Sequence, residues 1–119
     1  MKAIIYTRVA SENQGHDNKG LKNQKELLKQ YCKKHRIKIV EFFEEVNSGL
    51  NFNRPELTKL IEFTTKNKVD KIMITSRDRL GKNFEIVDAT INRFKEMGVE
   101  VISIDNSDFN FITFLNIKL

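Results

Sequence analysis

The chain has 119 residues, with 39% hydrophobic and 31% charged side chains, nine phenylalanines, one proline and five glycines. That length supplies one modest core and is short for two ordinary domains, and the apolar content with so few linker residues argues against disorder. Twenty-one basic residues against sixteen acidic ones give +5 and a pI near 9.4, a balance that favours polyanionic partners without singling one out.

In chain order, four β-rich runs at residues 2–9, 37–44, 71–75 and 99–104 alternate with three amphipathic stretches. This is the pattern of an α/β domain, a three-layer αβα sandwich with a mainly parallel central sheet. The first run meets Tyr6, Thr7 and Arg8 after only three apolar residues, so it is no signal peptide. The first helix puts Leu21, Gln24, Leu28, Tyr31, Cys32 and His35 on one face, apolar at its centre. Cys32 is the lone cysteine, which excludes an internal disulfide and fits a reducing compartment. A crowd of basic residues from Lys22 to Lys38 reads either as a solvated helix face or as a phosphate-facing patch.

The second helix starts at Pro55, a favoured first-turn residue, and gathers Leu57, Leu60, Ile61 and Thr64. The third starts near Phe84, carries Val87, Ile91 and Phe94 on one side, and stops before Gly98. A domain over residues 1–104 is expected. Residues 105–119 read as a last strand, a short helix or a truncated continuation, and no DNA-binding domain is recognisable. No apolar run reaches membrane-spanning length, and His16 and His35 lack partners at metal-ligand spacing, so a cytoplasmic protein without metal or other cofactor is expected.

Three patches carry possible chemistry: Arg8, Ser11 and Gln14 after the first strand, "NSGLNFNRPEL" before the second helix, and "SRDRLGKN" after the third strand. Two of them leave from carboxyl ends of parallel strands, where open α/β sheets bind ligands. Arg8, Arg54, Arg79 and Lys82 together suit a phosphate, because guanidinium groups bind its oxygens bidentately and offset charge that builds in a transition state. Asp78 serves there to hold an arginine or to handle a proton. Each patch alone fits a solvated loop better than a site; the order and spacing of all three are more specific.

These motifs, "YTRV" with Gln14 eight residues after the tyrosine, "LKNQ", "EEVNSG" followed by "NRPEL", and "DRLGKN", resemble the catalytic domain of the serine recombinases, the resolvase and invertase family, over roughly residues 2–104. The resemblance implies a mixed sheet wrapped by helices and a serine hydroxyl that attacks a DNA phosphodiester. A phosphoserine link forms while the 3′ hydroxyl leaves, without metal or nucleotide. It implies Arg8, Gln14, Arg54, Asp78 and Arg79 as site residues, DNA as partner, and a homodimer or higher oligomer.

Two positions depart from that pattern. The nucleophile's place, directly after "RV", holds Ala10, and Ser11 comes one residue late. An engineered knockout, a natural variant that uses Ser11, and an inactive homologue all fit, and Ser11 also fits a turn-forming or capping hydroxyl. Lys82 stands where the family usually has arginine, keeping charge but losing the planar fork. The alternatives to a recombinase are a non-catalytic DNA-binding or regulatory homologue that pairs with an intact enzyme, and a flavodoxin-like domain for a small phosphate ligand.

Overall fold

The computed structural model describes residues 1–11, 19–47 and 54–105. Its elements follow the expected alternation: β1 (Lys2–Val9), α1 (Lys19–Lys34), β2 (Lys38–Val46), α2 (Pro55–Lys66), β3 (Lys71–Ile74), a 3₁₀ turn (Arg77–Arg79), α3 (Phe84–Glu96) and β4 (Glu100–Ser103). The strands form one sheet in the order β2-β1-β3-β4, and every neighbouring pair is parallel. β2 runs two residues beyond its expected end at Glu44, and that extension brings Glu45 into the sheet.

β1 is an interior strand, buried from Ala3 to Val9 on both faces, as parallel sheets covered on both sides require. One face packs Ala3, Ile5 and Met73 against Leu28 and Cys32 of α1. The other packs Ile4, Tyr6, Phe43, Ile72 and Ile74 against Leu57 and Leu60 of α2 and Val87 and Phe94 of α3. The two clusters make the three layers.

A one-residue irregularity in β2 decides which side chains reach which layer. Ala3 pairs with Ile39 but Ile4 pairs with Glu41, so Val40 is extra. Before it, Ile39 lies on the α1 side; after it Phe42 lies on that side and Phe43 on the other. Strict alternation from Ile39 would have sent residues 43 and 45 to the α1 face; the bulge sends them to the α2/α3 face instead.

Helices α1 and α3 end alike. Ile37 N–H donates to Cys32 O at 2.8 Å with Arg36 at φ 57, and Val99 N–H donates to Phe94 O at 2.9 Å with Gly98 at φ 79. Both are left-handed C-terminal caps, one occupied by the residue that suits it and one by arginine.

The strand order reverses direction between β1 and β3, so the crevice of a doubly wound sheet opens at their carboxyl ends. Arg8 is the next-to-last residue of one of those strands and the segment 75–83 leaves the other.

Candidate active site

Arg8 lies on the face of β1 that carries Ile4 and Tyr6, and it is 1% exposed. Such a burial needs partners, and the guanidinium finds them in main chain. Nε donates to Arg79 O at 2.9 Å, Nη1 to Asn47 O at 2.6 Å and Nη2 to Asp78 O at 2.6 Å. One side chain thus ties the ends of β1 and β2 to the 3₁₀ turn. Burial presses its pKa below the ordinary arginine value, with Arg54 and Arg79 pressing the same way and Tyr6 and Asp78 opposing.

The backbone of Arg8 is held from the opposite layer. Gln24 of α1 accepts from Arg8 N–H at 3.1 Å and donates to Arg8 O at 2.9 Å. It takes the place that a neighbouring strand would occupy. Arg8 O accepts a second bond, from Arg79 Nη1 at 3.0 Å.

Arg54, 3% exposed, immediately precedes α2 and provides no side-chain cap for it. Glu45 does that work from β2: its carboxylate accepts from Glu56 N–H at 3.0 Å and Leu57 N–H at 3.1 Å. With Pro55 in the first helical position needing no acceptor, these are the donors that the helix start leaves open, and a negative charge suits that end of the helix dipole. Tyr6 Oη donates to Glu45 Oε1 at 3.0 Å and accepts from Arg54 Nη2 at 2.6 Å. Arg54 Nε stands 3.8 Å from Glu45 Oε1, while Nη1 donates to Leu80 O and Nη2 also reaches Arg79 O at 3.3 Å. Burial, reinforced by the Glu45 charge and opposed by Arg54, drives the Tyr6 phenol well above its usual pKa.

The 3₁₀ turn is therefore gripped from below by two buried arginines through the carbonyls of Asp78, Arg79 and Leu80. It is pinned further by the fully buried Leu80 and by Arg77, which pairs with Asp88 of α3 at 3.0 Å. Asn83 caps α3, its Oδ1 accepting from Glu85 N–H at 2.7 Å. The exposed side chains of this segment are Asp78 and Lys82, while Arg79 turns one donor inward onto Arg8 O. Asp78 is exposed and accepts a hydrogen bond from Ser76 Oγ. Partial burial raises its pKa, but that bond and the charges of Arg79, Lys82 and Arg8 outweigh it, so the carboxyl lies below its ordinary value. Arg79 is half-buried, and its Nε is enclosed with no partner among the described residues. Lys82 is exposed.

Of the sequence candidates, Arg8, Arg54, Asp78 and Arg79 come together at the carboxyl ends of β1 and β3. Ala10 is half-buried and Ser11 exposed, both in a bend directly after β1. Gln14 lies outside the described residues. Three residues that the motifs did not single out for the site, Tyr6, Gln24 and Glu45, form its support. For two of them the signal was polarity on a face that periodicity assigns to the core: Gln24 beside Leu21 and Leu28, Tyr6 beside Ile4. Among the described residues no group of His, Cys, Asp or Glu is arranged for a metal ion, and no helix is long and apolar enough to cross a membrane.

The family model described as "Resolvase, N terminal domain" matches residues 3–114. A protein of Acanthamoeba polyphaga mimivirus, named by inference as resolvase R771, is 28% identical over 101 residues, which is 84% of this chain and 49% of that protein. The chain spans about half the length of the curated relatives it matches. Among solved structures, the C-terminal catalytic domain of ISC1926 TnpA, an IS607-like serine recombinase, superposes with a TM-score of 0.79 at 30% identity, covering 98% of this chain and 79% of that one. The N-terminal catalytic domain of TP901-1 integrase shares the fold, with a TM-score of 0.80 at 23% identity over 98% of this chain and 90% of that one.

Proposed function

The chain belongs to the resolvase N-terminal domain family, and on that premise we propose that it is the catalytic domain of a site-specific DNA recombinase that cuts and rejoins DNA through a phosphoserine. The observation that carries this reading is the convergence of Arg8, Arg54 and Arg79 at the carboxyl ends of β1 and β3, about a turn beside which Asp78 and Lys82 are exposed. Arg79 and Lys82 meet the phosphate and supply the positive charge that developing negative charge on phosphorus oxygens needs. Arg8 and Arg54, whose named bonds end on carbonyls and on Tyr6, hold the turn against the phosphate. Asp78 and Gln14 position.

Ser11 is the provisional nucleophile. Its Oγ forms a bond to phosphorus, the bond from phosphorus to the 3′ oxygen breaks, and the 3′ hydroxyl leaves with a proton; the reverse reaction reseals a strand. DNA is the substrate and the working form is a dimer or higher oligomer. The test is the trapping of a denaturation-resistant protein–DNA adduct on duplex DNA with a randomised centre, using a longer protein that carries this domain. An adduct lost in Ser11→Ala establishes the reading, and failure of any adduct to form refutes it for this chain.

Ala10 supports a second reading. A methyl group in the nucleophile's place suits a non-catalytic homologue that assembles with an intact recombinase. An adduct gained only on Ala10→Ser selects this reading; equal activity with and without that change eliminates it.

A further inference from the structure

Charge is distributed over the three helices very unevenly. α2 carries two acids and two lysines, and α3 three acids and two basic residues. α1 carries six lysines and a single acid, Glu26. Since the chain has 21 basic and 16 acidic residues, removing α1 leaves fifteen of each: the whole net charge of the protein is the charge of this one helix. A merely solvated face mixes both signs, as α2 and α3 do.

The lysines are also arranged. At 3.6 residues per turn, Lys22, Lys25, Lys29 and Lys33 fall within about a quarter of the helix circumference. They form a stripe beside the buried face of Leu21, Gln24, Leu28 and Cys32. Lys25 pairs with Glu44 at 3.5 Å and lies over the Phe42 ring, and Lys29 stands 3.8 Å from Glu26, both as exposed, weak pairs. Lys22 and Lys33 are exposed and meet no acid among the described residues, and nor do Arg36 and Lys38, which continue the basic surface past the helix end. Lys29 and Lys33 rim a groove of about 400 Å³ floored by Ile37 and Ile39, so the stripe overlooks the β2 edge of the sheet. The preference of a helix C-terminus for cations accounts for Lys33 and Lys34 alone.

The stripe begins next to the candidate site, because the same helix end supplies Gln24 to the backbone of Arg8. It then runs away for eleven residues, about 16 Å, which matches the rise of roughly five base pairs. Resting on the recombinase reading, we propose that the α1 lysine stripe is a second DNA contact, a track for backbone phosphates of the duplex flanking the cleavage position. It carries no sequence information, because it contacts phosphate and not base edges.

Binding of a generic duplex by the whole chain, followed by fluorescence anisotropy from 50 to 200 mM salt, tests this. The variant K22Q/K29Q/K33Q keeps helix propensity, since glutamine and lysine rank together. It is expected to flatten the slope of log K against log salt by about two to three units, removing roughly a 40-fold loss of affinity over that range. K59Q/K66Q/K95Q, on exposed positions of α2 and α3, has the same net charge and is expected to change little. Equal slopes for the α1 variant and the unmodified chain overturn the proposal, and so does equal flattening by both variants, which is a net-charge effect. K82Q separates the two readings. If it weakens binding and the α1 variant does not, only the stripe falls; if the α1 variant weakens binding and K82Q does not, the site reading falls. If the unmodified chain binds no duplex, both fall.

Discussion

Glu45→Ala is the sharpest test of the buried support beneath the turn. The carboxylate is 2% exposed and serves four groups: two helix N–H groups at 3.0 and 3.1 Å, the Tyr6 hydroxyl at 3.0 Å and the Arg54 guanidinium at 3.8 Å. Loss of a helix cap costs about 0.5–2 kcal/mol. Removing one member of a buried ion pair costs about 3–5 kcal/mol, because the other charge stays buried without its counter-ion. One carboxylate does all of this, so the costs overlap, and about 4 kcal/mol is the expected loss. Against a total stability of about 5–15 kcal/mol, that is severe. In a urea titration followed by far-ultraviolet circular dichroism, with a slope of about 2 kcal/mol per M, the midpoint falls by about 2 M. The neighbouring acid is the control: Glu44 makes only an exposed pair with Lys25, and Glu44→Ala should cost under about 1 kcal/mol. Equal effects of the two substitutions would refute the network as the support of the turn.

Alkaline pH probes the same network from the phenol. With its folded pKa raised, Tyr6 contributes stability that is complete below the unfolded value near 10 and declines as pH rises above it; Tyr6→Phe removes the tyrosinate absorbance that appears only with alkaline unfolding. Arg36 pays for a left-handed backbone that Gly98 adopts freely, so Arg36→Gly should stabilise by roughly 0.5–1 kcal/mol and Gly98→Ala destabilise by about 1 kcal/mol, read as thermal midpoints. No atom crowds a Cβ at Gly98, which makes that cost one of backbone alone. Cys32 is fully buried and its thiol pKa is pushed up by burial, so a thiol-specific disulfide reagent should label the folded chain slowly and the urea-unfolded chain at once.

The layers were legible because burial writes a local period: strands of apolar residues flanked by helices whose apolar positions recur every three or four residues. The place of the candidate site in the fold was legible too, since "DRLGKN" follows a strand at the switch point of the sheet. What the sequence concealed depends on partners far apart in the chain. Glu45 lies one residue past the strand end expected at Glu44. It is a strand residue because Tyr6, 39 positions earlier, and Arg54 satisfy its charge. The face it occupies was set by the extra residue Val40, and a bulge leaves no periodic mark of its own. The arginines show the same limit. Their residue type announces a site for anions, yet only the assembled fold reveals that Arg8 and Arg54 turn their donors onto carbonyls of the turn.

That inward orientation bears on the question of Ala10. The scaffold that fixes the turn around Arg79 is built from side chains of Tyr6, Arg8, Gln24, Glu45 and Arg54 acting on one another and on main chain. None of its hydrogen bonds passes through the side chain of residue 10, because a methyl group has none to give. The turn is therefore assembled regardless of whether a nucleophile is present, and the two properties vary independently. A hydroxyl added at half-buried position 10 should leave the urea midpoint nearly unchanged, so any adduct gained or still missing in Ala10→Ser reports on the chemistry of the site and not on its folding.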